Sequence, residues 1–271
     1  MELSGKVVAV TGGASGIGRG LARRFAREGA RGVAVADIDA AGARAVAEDI
    51  GEAAIGIGCD VASEEEMRAL VSQAEEAFGP IDVFCANAGV GQGTDLDTPD
   101  DVWVLAFDVN VKAHVLAARL LIPGWLERGE GYFVSTASAA GLLTQIGSAP
   151  YSVTKHGAVA FSEWLAVTYG RRGLRVSCLC PMGVNTAMLN AGLDAVDRQG
   201  VGARVVAATG EVLEPEDVAE VVVDAMREER FLILPHPEVL EFFRRKGSDY
   251  DRWIAGMQRL QATVMGEGLA S

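Results

Sequence analysis

Short apolar runs rich in β-branched residues alternate along this chain with longer stretches whose apolar residues recur every three or four positions. The short runs are 6–11, 32–37, 54–59, 81–85, 132–134, 174–180 and 231–234, each of strand length. Between them, Leu21, Phe25 and Ala26 share one helical face, 41–50 continues the pattern, and Met67, Leu70, Val71 and Ala74 do so after Ser63. Ser63 with Glu66 has the spacing of a capping box, and Gly79-Pro80 stops that helix. Further helices are predicted over 100–127, interrupted at Pro123, then after Pro150 and over 215–226. Seven strand-like runs alternating with helices predict an α/β fold, a parallel sheet of about seven strands covered on both faces with right-handed crossovers.

The pattern changes after residue 235. Pro237, Glu238 and Glu241 precede Arg244, Arg245 and Lys246 in the order a helix dipole favours, and Gly247 is expected to end that helix. Ser248 and Asp251 then resemble a capping box, followed by Trp253, Met257, Leu260 and Val264 on one face. That stripe has to be buried. A parallel sheet delivers the chain to its carboxyl edge, where open α/β folds bind ligands, so the extension is expected beside the 187–213 segment, over its own substrate cleft or a neighbour's.

At 271 residues and 49% hydrophobic content, one domain is expected, with a core over 1–235 and a helical extension over 236–271. A net charge of −13 opposes nucleic acid and anionic membrane surfaces as partners. The start, Met1-Glu2-Leu3-Ser4, has no basic segment followed by an apolar one, so a cytoplasmic protein is expected. Residues 131–154 carry no charge, but their Ser, Thr, Gln and Gly content favours a buried strand and a loop over a membrane span. Cys59, Cys85, Cys178 and Cys180 sit in or at the ends of apolar runs without zinc spacing, which predicts buried thiols and no metal.

Two stretches carry candidate chemistry. The run Gly12-Gly13-Ala14-Ser15-Gly16-Ile17-Gly18 lies between a strand and a helix, where glycines let the backbone approach a pyrophosphate at the helix start. Asp37 ends the second strand and can accept both ribose hydroxyls of an adenosine. It would repel a 2′-phosphate, and neither Gly13 nor Ile38 supplies a compensating cation. The second stretch holds Tyr151 and Lys155, one helical turn apart, with Ser138 upstream at a strand end. An ammonium beside a phenol favours its ionised form, which suits acid/base work.

With Thr11-Gly12-x-x-x-Gly16-x-Gly18, Asp60, Asn87-Ala88-Gly89, Asn110, Ser138, Tyr151 and Lys155 present in order, the chain resembles the short-chain dehydrogenase/reductase family over about 5–235. The resemblance implies a single Rossmann-type doubly wound sheet and hydride exchange between a nicotinamide cofactor and an alcohol or carbonyl, and Asp37 makes NAD the expected form. It implies that Tyr151 is the acid/base, that Lys155 lowers its pKa and holds the nicotinamide ribose, that Ser138 binds the substrate oxygen, and that Asn110 keeps a water of a proton relay. By the same resemblance Gly12, Ser15, Gly16, Ile17 and Gly18 cradle the phosphates, Asp60 and Val61 border the adenine, and Asn87, Ala88 and Gly89 line the cofactor. Pro181, Val184 and Thr186 are expected at the carboxamide, although Met182 stands where the family usually has glycine.

Met188, Leu189, Leu193, Val196, Val201, Val205 and Val206, with Leu142, Leu143 and Ile146, are expected to shape an apolar pocket. A mainly apolar secondary alcohol or ketone follows as substrate, with Gln145 fixing one polar group. The alternatives are a ketoacyl-carrier-protein reductase, disfavoured by Asp37 and the acidic charge, and a cofactor-binding regulator without turnover. His114 and His156 are expected to be structural, and His236 near the cleft. Family members are usually homodimers or homotetramers, and Ala158, Phe161, Trp164, Leu165 and Val167 give the Tyr151 helix an apolar face for a partner.

Overall fold

In the computed structural model, which describes residues 1–195 and 199–265, seven parallel strands form one sheet in the order β3-β2-β1-β4-β5-β6-β7. They are β1 (Val7–Thr11), β2 (Gly32–Asp37), β3 (Ala54–Gly58), β4 (Val83–Ala86), β5 (Gly131–Thr136), β6 (Leu174–Leu179) and β7 (Leu232–Ile233). The first half is linked by α1 (Gly16–Arg27), α2 (Ala40–Ile50) and α3 (Glu64–Phe78). The second half is linked by α4 (Asp100–Phe107), α5 (Ala113–Arg128), α6 (Ala149–Tyr169), α7 (Ala187–Asp194), α8 (Gln199–Thr209) and α9 (Pro215–Arg227), and α10 (Glu238–Ser248) and α11 (Tyr250–Met265) close the chain. The chain winds outward from β1 to β3 and then returns to place β4 on the other side of β1. Connections therefore diverge at the carboxyl ends of β1 and β4, leaving a crevice there.

Because helices cover both faces, the central strands have no polar side: β1, β4 and β5 are buried at every position. One face packs against Leu21 and Phe25 of α1 and Val218, Val222 and Met226 of α9. The other packs against Met67 and Leu70 of α3, Leu121 and Trp125 of α5 and Leu165 of α6. The charge-free 131–154 segment is β5, a 3₁₀ turn over Ala139–Gly141 and the start of α6, and no helix among the described residues is long and apolar enough to cross a membrane.

Several local expectations are corrected. Pro123 does not interrupt its helix: α5 continues through it to Arg128, held on both sides by the buried Leu121, Ile122 and Trp125. The break lies earlier, at Asp108–Lys112, where the chain takes a π-helical turn that carries Asn110. The Ser63 hydroxyl accepts from Glu66 N, but the Glu66 carboxylate accepts from Asp60 N at 2.8 Å instead of completing the box on Ser63. The 187–213 segment holds two helices, the first capped by Thr186, whose hydroxyl accepts from Leu189 N. Gly247 lies inside α10, and the cap of α11 is Asp249, whose Oδ1 accepts from Arg252 N at 3.0 Å; Ser248 instead donates to Arg245 O.

Candidate active site

The turn after β1 is stitched to the turn after β4 before any ligand is considered. The Thr11 hydroxyl donates to Cys85 O and accepts from Asn87 N at 3.0 Å and Ala88 N at 3.2 Å, while Asn87 Nδ2 donates to Thr11 O at 3.0 Å. Gly12 holds φ +65°, and a Cβ there would sit 2.9 Å from Ala88 Cα. A Cβ on Gly18 would lie 2.1 Å from Gly12 O, so Gly18 lets α1 lean on the turn rather than facing the cleft.

The start of α1 is left open. Ser15 makes no side-chain cap and the first turn has no acid, whereas α3 is capped by Ser63 and opens with Glu64, Glu65 and Glu66. The α1 amides and dipole are therefore available to an anion. At the end of β2, Asp37 Oδ2 accepts from Ala14 N and Oδ1 from Asp39 N, both at 3.0 Å. Each oxygen retains a lone pair, so a fixed acceptor faces the place where an adenosine ribose would lie. An open helix start and a fixed carboxylate fit a dinucleotide carrying a free ribose diol.

The predicted catalytic side chains lie across the crevice. Ser148 caps α6, its hydroxyl accepting from Tyr151 N and donating to Gly93 O at 2.7 Å, and Pro150 occupies the first turn. Lys155 is buried; its Nζ donates to Thr136 O at 3.0 Å and lies 5.6 Å from the Tyr151 ring centre. The Ser138 hydroxyl accepts from Ala140 N at 3.1 Å and opens the 3₁₀ turn. Asn110 is fully buried, its Oδ1 accepting from Val90 N and its Nδ2 donating to Val90 O, both at 2.9 Å, and to Thr154 Oγ1 at 3.0 Å. Its amide thus pins the 87–91 turn to α6. Thr154, not singled out in the sequence, is the residue that receives this bond, and its only prior signal was a hydroxyl beside Lys155.

Burial pushes the Tyr151 phenol above its ordinary range, the Ser138 hydroxyl opposes that, and Cys180 adds to it. Burial also brings Lys155 down to about 8, against the influence of Cys178 and Cys180. The Lys155 ammonium is turned to Thr136 O, and desolvation dominates at the phenol.

One cleft of about 1600 Å³ is lined by Gly12, Ser15, Gly16, Ile17, Asp37, Asp60, Val61, Asn87, Ala88, Gly89, Ser138, Tyr151, Lys155, Pro181, Val184 and Thr186. Of the predicted catalytic and cofactor residues, Gly18 and Asn110 do not line it. Residues 6–196 match the short chain dehydrogenase family. The chain belongs to that family. It is 34% identical, over 94% of its length and 92% of the relative's, to 1-deoxy-11-beta-hydroxypentalenate dehydrogenase of Streptomyces exfoliatus. A short chain dehydrogenase/reductase from Burkholderia phymatum, solved in complex with NAD, superimposes with a TM-score of 0.84 at 31% identity, covering 93% of this chain and 96% of that one. A 3-ketoacyl-(acyl-carrier-protein) reductase from Brucella melitensis complexed with NADH gives 0.74 at 29% identity, covering 86% and 98%.

The far end of the cleft in this short-chain dehydrogenase is apolar, with Leu143, Ile146, Met188, Leu189, Val205 and Val206 on one side. Leu142 does not line it and packs with Val239 in the core; Leu193 and Val201 also stay off the wall, and Val196 lies outside the described residues. Gln145 Nε2 donates to Ile146 O and Gly202 O, bracing α8. The opposite wall is Trp253, Met257 and Leu260 of α11, so the extension covers the cleft of its own chain.

The histidines are structural. His114 is buried against Ser135 Oγ at 3.0 Å. His236 accepts from Met182 N at 3.1 Å and approaches Gly183 O and Glu211 O at 3.0 and 3.1 Å, which fixes the backbone where Met182 replaces the usual glycine. His156 Nδ1 lies 2.8 Å from Ser152 O one turn back in α6.

Proposed function

We propose that this protein is an NAD-preferring dehydrogenase that exchanges hydride between the nicotinamide and a mainly apolar secondary alcohol or its ketone. The observation that carries the reading is one continuous cleft with an uncapped helix start and Asp37 at one end, Ser138, Tyr151 and Lys155 midway, and an apolar chamber beyond. The bound cofactor would supply the hydride acceptor or donor; Gly12, Ser15, Gly16, Ile17 and Asp37 would hold its adenosine half, and Val184 and Thr186 its carboxamide. Tyr151 takes the hydroxyl proton during oxidation and returns it during reduction. Ser138 donates to the substrate oxygen as negative charge grows there. Lys155 supports the phenolate and the cofactor ribose, while Asn110 acts from behind by fixing the Gly89 turn.

A ketoacyl-carrier-protein reductase is the second reading; a similar structure of that kind carries NADH, but a carrier protein that is itself acidic would be repelled by this chain's charge of −13. The intact Ser138, Tyr151 and Lys155 set argues against a regulator without turnover. Incubating the protein with NAD or NADP and a panel of cyclic and acyclic secondary alcohols, while following nicotinamide reduction, tests the reading; no turnover of any alcohol, or a higher kcat/KM with NADP, would overturn it.

A homodimer or homotetramer is the expected assembly. Trp164 and Val167 on α6 and Val104 and Phe107 on α4 remain exposed, while Ala158 and Leu165 point into the core. Light scattering at micromolar concentration checks it. The four free, buried cysteines suit a reducing cytoplasm.

A further inference from the structure

The basic run Arg244-Arg245-Lys246 reads as three solvated cations at a helix end, and Arg245 is one, exposed and paired with Glu241. Lys246 is not: it is 7% exposed, and among the described residues no carboxylate lies within ion-pair distance. A buried ammonium has to place its three hydrogens elsewhere. They point to Leu142 O at 2.8 Å, Leu143 O at 2.7 Å and His156 Nε2 at 3.5 Å. His156 Nδ1 lies 2.8 Å from Ser152 O, which can only accept, so Nδ1 carries the proton and Nε2 presents its lone pair to Lys246. The rings of Trp253 and Tyr250 complete the shell, 5.1 and 5.6 Å from Nζ.

These partners belong to three elements that border the cleft: the turn after Ser138, α6 and α11. Leu142 and Leu143 directly follow the turn that Ser138 opens, and Leu143 lines the chamber. His156 follows Lys155 in α6. Trp253 faces the chamber together with Met257 and Leu260, and α11 has no buried residue of its own, packing on Ile146, Val201 and Val205 through the partly buried Met257, Leu260, Val264 and Met265. Beside that contact, α11 is held at its junction with α10, whose buried side chains are Val239 and Lys246.

We propose that Lys246 is a positioning residue for substrate: by holding Trp253 and the Leu142–Leu143 carbonyls around one ammonium, it sets the distance between the apolar wall and the Ser138–Tyr151 pair. This rests on the dehydrogenase reading for what the chamber binds, and it concerns the alcohol rather than the cofactor or the proton transfer.

The test uses the full-length protein and the variants Lys246→Met, Trp253→Leu and their combination. Lys246→Met is expected to raise KM for the best alcohol about tenfold, with kcat and NAD affinity changed by less than about twofold, the pattern of lost ground-state binding. Trp253→Leu should do likewise, and the double variant should be no worse than the poorer single one, because both remove the same contact. Parental KM in Lys246→Met, or additive effects in the double variant, would overturn the proposal, as would equal losses in kcat, NAD affinity and melting temperature. If Lys246→Met does not fold, a parental KM in Trp253→Leu decides against it. Amide exchange provides a readout independent of turnover: 142–147 should exchange about tenfold faster in Lys246→Met while 12–18 stays unchanged. Unchanged exchange would refute the positioning role, whereas accelerated exchange in a protein whose parent oxidises no alcohol would refute only the dehydrogenase reading.

Discussion

The two ends of the cleft are built on different principles. At the cofactor end the surfaces are main chain: the turn after β1 is locked to the turn after β4 by Thr11 and Asn87, and side chains on Gly12 or Gly18 would collide with backbone. At the substrate end they are side chains on helices, and neither α7 nor α11 has a buried residue. Changing the first costs the fold, because the colliding atoms cannot move away. Changing the second costs only contacts, so the chamber can be altered while cofactor binding and chemistry persist.

The strongest way to break this comparison is at the boundary between the ends. Tyr151→Phe deletes the transferable proton and little volume, so kcat should fall by about 10³ with NAD affinity retained. Stopped-flow turnover beside a fluorescence titration with NADH checks this, and a kcat near that of the parent would remove Tyr151 from its role. Next comes Asp37→Asn, which keeps the side chain's shape, removes its charge and turns one of its two acceptor oxygens into a donor. Loss of charge-assisted bonds to a ribose diol should lower kcat/KM with NAD about 30-fold and narrow its advantage over NADP. An unaltered NAD to NADP ratio would show that Asp37 only braces Ala14 and Asp39.

At the other end, removing residues 249–271 takes away the Trp253, Met257 and Leu260 wall. KM for the alcohol should rise about tenfold, or assembly weaken, while NAD affinity holds, because the lost contacts are ground-state binding. Measured KM values together with light scattering decide it; parental values of both would make the extension peripheral.

What was legible in the sequence divides along the same line. The sheet and the glycine turn could be read because main-chain geometry demands particular residue types: β-branched runs for strands buried on both faces, and glycine where a Cβ would strike Ala88 or the Gly12 carbonyl. The π turn at Asp108–Lys112 could not, since a shift in hydrogen-bond register leaves no mark on side-chain spacing. The two helices within 187–213 are not legible in the same way, because their apolar residues are divided between the chamber and a small buried cluster and form no continuous core face, although Thr186 stands at the cap position. Lys246 was hidden for another reason. A lysine at a helix end has two fates, and only the three-dimensional meeting of α10 with the Leu142 and Leu143 carbonyls distinguishes them.

The smallest expected effect concerns acid, and it should be felt in the core behind β5, beneath Lys155. His114 lies on α5 behind β5, hydrogen-bonded to Ser135, and burial with a contribution from Lys155 pushes its imidazole down to about 3. Unfolded, it would titrate near 6.5, so between about 6.5 and 3 the unfolded chain binds a proton that the folded one refuses. A depressed pKa gives stability that is present above the unfolded value and lost as pH falls through this window. From pH 7.5 to 5.5 the loss from this group should be about 1 kcal/mol, a fall in melting temperature of about 2–4 °C for a chain of this size. Replacing it by His114→Gln keeps a polar partner for Ser135 and removes the titration, so the difference in melting temperature between parent and variant should shrink as the pH is lowered. Parallel melting curves across pH 7.5 to 5.5 would mean that the proton enters without opening the core, and the layer between α5 and β5 would be less closed to solvent than its burial indicates.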